Sequence, residues 1–210
     1  MTEPAQTQQA PGPRGAFDIN AVIADAKSVL TSPASYFQSM PKTGGFAEPL
    51  IFMLVMAVLA GVISALLSFV GSPVGLLAFG LAAIVFIPIA VLIGAFIGAG
   101  ILFVIWKVMG SQLDYEASLR CLAAITVVYP ITAVLSILPY IGSIVGIALA
   151  SYLLIEASVA VHGRDRRASQ LVFGIIGAVM IFMNVSSEYA ARQLAEQAEQ
   201  LGDMLQQLEK

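Results

Sequence analysis

From Pro49 to Trp106, from Cys121 to Ile155 and from Ala168 to Ser187, the chain carries no Asp, Glu, Lys or Arg. Uncharged apolar runs of this length need hydrocarbon as their solvent, because about 20 such residues in a helix match the ~30 Å core of a bilayer. Composition agrees. The apolar set is 59% of the 210 residues and charged residues are 11%, against roughly 25% in a soluble domain. An ordinary soluble domain, a disordered chain and a disulfide scaffold are excluded. A single cysteine, Cys121, leaves no intramolecular disulfide and no all-cysteine metal site. The net charge of −3 gives no footprint for nucleic acid.

The pattern predicts an all-α integral membrane protein with five transmembrane helices. Residues 1–16, rich in Pro, Gln and Ala, read as a disordered tail. Residues 17–48 form an interfacial segment. In it Asp18 or Asn20 caps a helix whose apolar residues Ile19, Val22, Ile23, Ala26, Val29 and Leu30 follow helical spacing. Ser32-Pro33 stops that helix, and Tyr36, Phe37 and Met40 continue as an anchor. Residues 49–187 hold the spans, and residues 188–210 form a helical acidic tail. The spans are read as Pro49 to Val70, Pro88 to Trp106, Leu119 to Leu138, Ser143 to His162 and Gln170 to Ser187. Gly71-Ser72-Pro73 is a turn. The run from Pro73 to Trp106 is too long for one crossing and too short for two, so its outer part is an extension kinked at Pro88. Trp106 and Lys107 mark an interface.

Five crossings place Arg14, Lys27, Lys42, Lys107, Arg120, Arg164, Arg166 and Arg167 on the side of the N-terminus, and only Arg192 and Lys210 on the other. By the positive-inside rule, the N-terminus is cytoplasmic and the C-terminus outside, in a cell inner membrane. Six crossings would export Lys107, Arg120 and the Arg164–Arg167 loop, which the rule rejects. The first apolar run begins only at Pro49, which points away from a cleavable signal peptide.

Few residues offer chemistry. Glu156 is the only acid within a span, and an ionised carboxylate there costs ~3 kcal/mol or more without a partner. Pro130 cannot donate to the Thr126 carbonyl, which is therefore free. Thr126, Tyr129 and Glu156, with Arg120 reaching in from above, are the candidate intramembrane polar cluster. It is either a proton, ion or ligand site, or a neutral Glu hydrogen-bonded as glue between helices. His162, the only histidine, reads as a solvated flank residue. No catalytic set, cofactor motif or metal site is found, so an enzyme is not expected. Glycines at spacing four (Gly71/Gly75, Gly94/Gly98, Gly142/Gly146, more weakly Gly174/Ala178) allow close helix approach, better suited to packing within one protomer. The Met53/Met56 and Met180/Met183 pairs read as core or lipid-facing filler. In the tail, Leu194, Leu201 and Leu208 fall at heptad d positions, and Ala191, Ala198 and Leu205 at a positions. Leu194, Leu201, Leu205 and Leu208 are thus a candidate oligomer seam.

Several features occur in a recognisable order. Pro33 and Phe37 precede Glu48-Pro49, and a glycine-rich second span ends in Val108-Met109-Gly110. Ser118-Leu119-Arg120 and Tyr129-Pro130 follow, then Pro139-Tyr140-Ile141-Gly142, His162 and a basic loop. This order, over residues 28–187, resembles the Yip-domain family of five-span membrane proteins in its bacterial branch. The resemblance implies five spans and a cytoplasmic N-terminus. Eukaryotic members are linked to Rab GTPases and vesicle traffic, but the long acidic N-terminal domain of those members is missing here, so that role does not transfer. Bacterial relatives have no settled activity. The expected function is a non-enzymatic scaffold that organises partners or lipids as a homo-oligomer. The rival is a channel or transporter built around Glu156.

Overall fold

The computed structural model describes residues 18–68 and 76–208. Among them are eight helices: α1 (Ile19–Thr31), α2 (Pro33–Ser39), α3 (Ala47–Ser68), α4 (Leu76–Val108), α5 (Tyr115–Ile125), α6 (Val128–Leu135), α7 (Ile141–Ala160) and α8 (Arg166–Leu208). Five segments are long and apolar enough to cross a membrane: Ala47–Leu67, Ala90–Val108, Tyr115–Leu135, Ile141–Ala160, and the long helix beginning at Arg166. The tail of residues 1–16, the turn at Gly71-Ser72-Pro73 and the Gly71/Gly75 pair lie outside the described residues.

Asp18 caps α1, its carboxylate accepting from the Asn20 amide at 2.9 Å, so one of the helix's orphan amides is satisfied. Ser32 ends α1 with extended φ, and Pro33 opens α2 at its first position, where its missing N–H costs nothing. Two stripes divide the apolar side of α1. Val22 and Val29 are buried against the protein, while Ile19, Ile23 and Leu30 stay exposed. The second stripe is what a helix lying at a bilayer surface would bury in lipid. Phe37 anchors α2 with no exposure at all, and α2 packs on α7.

The third span is not one helix. Thr126 and Val127 donate to the carbonyls three residues back, and the Tyr129 amide donates to the Thr126 carbonyl at 2.9 Å. The chain tightens just before Pro130, because that proline cannot supply the i to i−4 bond. This corrects the expectation of a free Thr126 carbonyl. The broken span α5–α6 is the most enclosed of the five. It packs against α3 and α4 on one side and α7 on the other, with α8 beyond α7.

Glycines set several of these contacts within one protomer. A Cβ at Gly146 would run into Thr132 Cγ2, and one at Gly142 would meet the Leu135 backbone at 3.1 Å. Both let α6 and α7 approach closely. Gly98 faces Leu122, again across α4 and α5, whereas Gly94 and Gly174 face open space. The close α7–α8 contact is made by Gly177 against Ser151, one turn from the pair that spacing suggested. Met53 and Met56 are buried and Met180 and Met183 exposed.

Candidate functional site: the polar layer at the basic end

The start of α3, the α4–α5 loop and the α7–α8 turn gather at one end of the bundle with α1 and α2. Three polar assemblies tie them. In the first, Glu156 lies one turn before the end of α7, and Arg166 opens α8. The Arg166 guanidinium donates to both Glu156 oxygens, at 2.6 and 3.0 Å. The glutamate is buried and the arginine half exposed. A bidentate fork of this kind fixes geometry as well as charge. The chain reverses between the partners at Gly163, whose φ of 62° is open to glycine at little steric cost.

In the second assembly Arg120, 5% exposed, is held on all three nitrogens. Its Nε donates to Glu116 at 3.0 Å, one terminal nitrogen to Glu48 at 3.3 Å and the other to the Gly45 carbonyl at 2.8 Å. Glu116 in turn accepts from the Gly45 amide at 2.7 Å. Arg120 thus locks the loop entering α3 onto α5. A cavity of about 200 Å³ opens beside it, with Asp25, Tyr36, Glu48 and Phe52 in its wall. Burial, and then the charge of Asp25, push the Tyr36 phenol well above its ordinary range.

The third assembly centres on His162. Its ring stacks on Trp106 with centroids 3.9 Å apart and planes at 18°. Nδ1 lies 2.8 Å from Ser111 Oγ, and Nε2 lies 3.9 Å from Cys121 Sγ. Arg164 closes the turn, bonding the carbonyls of His162 and Met109 at 2.8 and 3.0 Å. Burial, followed by the charges of Arg164 and Lys42, lowers the His162 pKa to about 4. The imidazole is therefore neutral near pH 7.

The expected cluster of Thr126, Tyr129, Glu156 and Arg120 is not assembled. Glu156 is an ion-paired carboxylate rather than neutral glue, because the short turn at Gly163 brings Arg166 within reach. Arg120 belongs to a different assembly on α3 and α5. Thr126 Oγ1 donates to the Ala123 carbonyl of its own helix at 2.6 Å. Tyr129 is 43% exposed and borders a separate cavity with Glu188. His162 is buried, not solvated, and Trp106 is turned inward rather than facing an interface. The partnership of Glu156 with Arg166 had a sequence signal, an acid and a base flanking a glycine turn between two helices. The Ser111–His162 contact had none, being 51 residues apart.

A family model described as the Yip1 domain matches residues 27–187, well over half of the chain. The chain belongs to the Yip1 family. No curated protein and no solved structure matches it. All three assemblies fall inside the Yip1 domain, which ends at residue 187, close to where α8 passes from its apolar part to its charged extension.

Proposed function

We propose that this Yip1-family protein is a non-enzymatic membrane scaffold that works as a homo-oligomer in a cell inner membrane. One observation carries the reading. The 43-residue helix α8 is ~65 Å long at 1.5 Å per residue, about twice the hydrocarbon thickness. Beyond the membrane-spanning part its leucines find no cover within the protomer. Leu194, Leu201, Leu205 and Leu208 are 57–79% exposed. They follow the a and d positions of a coiled coil. A second copy is the occupant that this repeat fits, since neighbours in one membrane share one orientation and would meet in parallel register.

Anchoring one end removes part of the cost of nucleating the extension. Burying each leucine contributes at most ~1.5–3 kcal/mol. Against this, residues 188–210 carry five acids and two bases, so repulsion opposes association, more strongly at low salt. Helix contacts in the bilayer supply the remainder. Such an assembly presents repeated copies of the basic end, with its α1 surface helix, to lipids or to a protein partner on that side. The transporter reading has less support, because Arg166 occupies both oxygens of the carboxylate it would use.

Deleting residues 191–210 tests the reading. Native mass spectrometry in mild detergent should show a shift towards smaller species while the five-span fold is kept. An unchanged mass distribution would remove the coil.

A further inference from the structure

At the end of the bundle opposite the basic assemblies, a cavity of about 540 Å³ lies between α3, α6, α7 and α8. This is a volume typical of small-molecule sites. Ser64, Thr132, Ser136, Ser143, Tyr129 and Glu188 contribute its polar lining, and Ala60 and Leu138 part of its apolar lining.

Three hydroxyls of this lining donate in one direction. Thr132 donates its hydroxyl to the Tyr129 carbonyl at 2.9 Å, Ser136 to Ala133 at 2.7 Å and Ser143 to Tyr140 at 2.9 Å. Each hydroxyl proton is committed to a carbonyl three residues back. What remains on each oxygen is acceptor capacity. Such bonds are ordinary for Ser and Thr in helices. Their convergence from two helices on one cavity, beside a carboxylate, is not.

Glu188 completes the wall. Its Oε1 accepts from the Tyr140 amide at 3.1 Å and from Arg192 at 2.8 Å, and no hydrogen bond to Oε2 is found among the described residues. The carboxylate also answers the positive end of α7, so that helix terminus is not a competing anion site. Tyr140 is held at φ 64°, a conformation uncommon for a bulky residue. The Arg192 guanidinium lies over its ring at 5.3 Å. The turn at the cavity mouth is therefore clamped to α8 and preorganised.

We propose that this cavity binds a primary ammonium group. An ammonium carries three donors and no acceptor, which complements a wall of hydroxyl lone pairs and one carboxylate oxygen. The apolar lining accommodates the methylene stem. A lipid headgroup and a soluble amine both offer this chemistry.

The full chain, delipidated in detergent, is offered phosphatidylethanolamine or phosphatidylcholine with identical acyl chains, and retention is read by native mass spectrometry. The two headgroups have the same charge, but the trimethylated one has no N–H. Phosphatidylethanolamine should be retained about tenfold more strongly or better, the scale of one charge-assisted hydrogen bond. Soluble glycerophosphoethanolamine identifies the source. Competition by it supports a headgroup-only site, and its failure alongside lipid retention supports a membrane lipid. The preference should be lost in T132V/S136A, in which valine keeps the methyl that packs on Gly146. Equal retention of the two lipids by the unmodified protein overturns the proposal, and so does a preference that survives T132V/S136A. If that double variant does not fold, Ser143→Ala takes its place under the same criterion.

Discussion

A buried carboxylate needs a partner, and at Glu156 that partner is Arg166, the first residue of α8. Because Glu156 is 6% exposed and Arg166 51% exposed, the pair is asymmetric. Removing the arginine strands a buried charge, whereas removing the glutamate leaves a cation that water can solvate. Arg166→Ala should therefore lower the melting temperature, though by less than breaking a fully buried pair would. Glu156→Gln should be milder, and the double variant R166A/E156Q should melt above R166A alone. Melting temperatures in one detergent would decide; additive losses would mean that the pair is not coupled. His162 makes a prediction of opposite kind. Its folded pKa is about 4 against an ordinary 6.5, so the unfolded chain binds the extra proton between those values. Stability from this residue is complete above about pH 6.5 and is lost as the pH falls towards 4. Wild-type melting should therefore drop between pH 6.5 and 5, and His162→Gln should flatten that part of the curve.

Between elements, backbone approach matters more than side-chain burial. The α6–α7 contact depends on Gly146, where any Cβ collides with Thr132 Cγ2. Gly146→Ala should cost about 1–3 kcal/mol, the usual range for overpacking. Thr132→Ser, which removes the colliding methyl, should recover much of that loss. Gly94→Ala, facing open space, should be neutral in the same melting assay. The five spans were legible in the sequence because hydropathy over 20 residues is a property of the segment itself. The break at Thr126–Val127 was legible in part. Pro130 announces it, but where the orphaned carbonyl finds its donor is a local matter of three-residue bonding that spacing does not reveal. Glycine spacing pointed correctly to Gly142 and Gly146, yet missed Gly177, since which face of α8 meets α7 is set by the Gly163 turn. The polar cluster was misread for a related reason. Depth along a span places Thr126, Tyr129 and Glu156 at similar levels, but the rotation of each helix sends their side chains to different neighbours.

For the molecule as a whole, charge asymmetry and the long helix bear on one question, which side of the membrane each end occupies. Lys107, Arg120, Arg164 and Arg166 belong to the end where the polar assemblies lie, and Arg192 to the other. From the retention of Lys and Arg on the cytoplasmic side we propose that α1 and α2 face the cytoplasm and that the α8 extension lies outside. Several of these cations carry structural duties as well, Arg120 on Glu48 and Glu116, Arg166 on Glu156. An inverted protein would still make those pairs, so the pairs do not themselves set orientation. Lys27, Lys107 and Arg167 are among the cations, Lys42 being another, for which no such bond is found among the described residues, and they are free to act as topological signals. Reporters fused before Gly12 and after Lys210 should lie on opposite sides, the first cytoplasmic. Replacing Lys27, Lys107 and Arg167 with Gln should raise the inverted fraction while leaving the melting temperature nearly unchanged. Replacing Arg120 should do the reverse, lowering stability with orientation kept. Reporters on the same side would contradict an odd number of crossings, and an orientation indifferent to the three substitutions would mean that these three residues do not carry the signal.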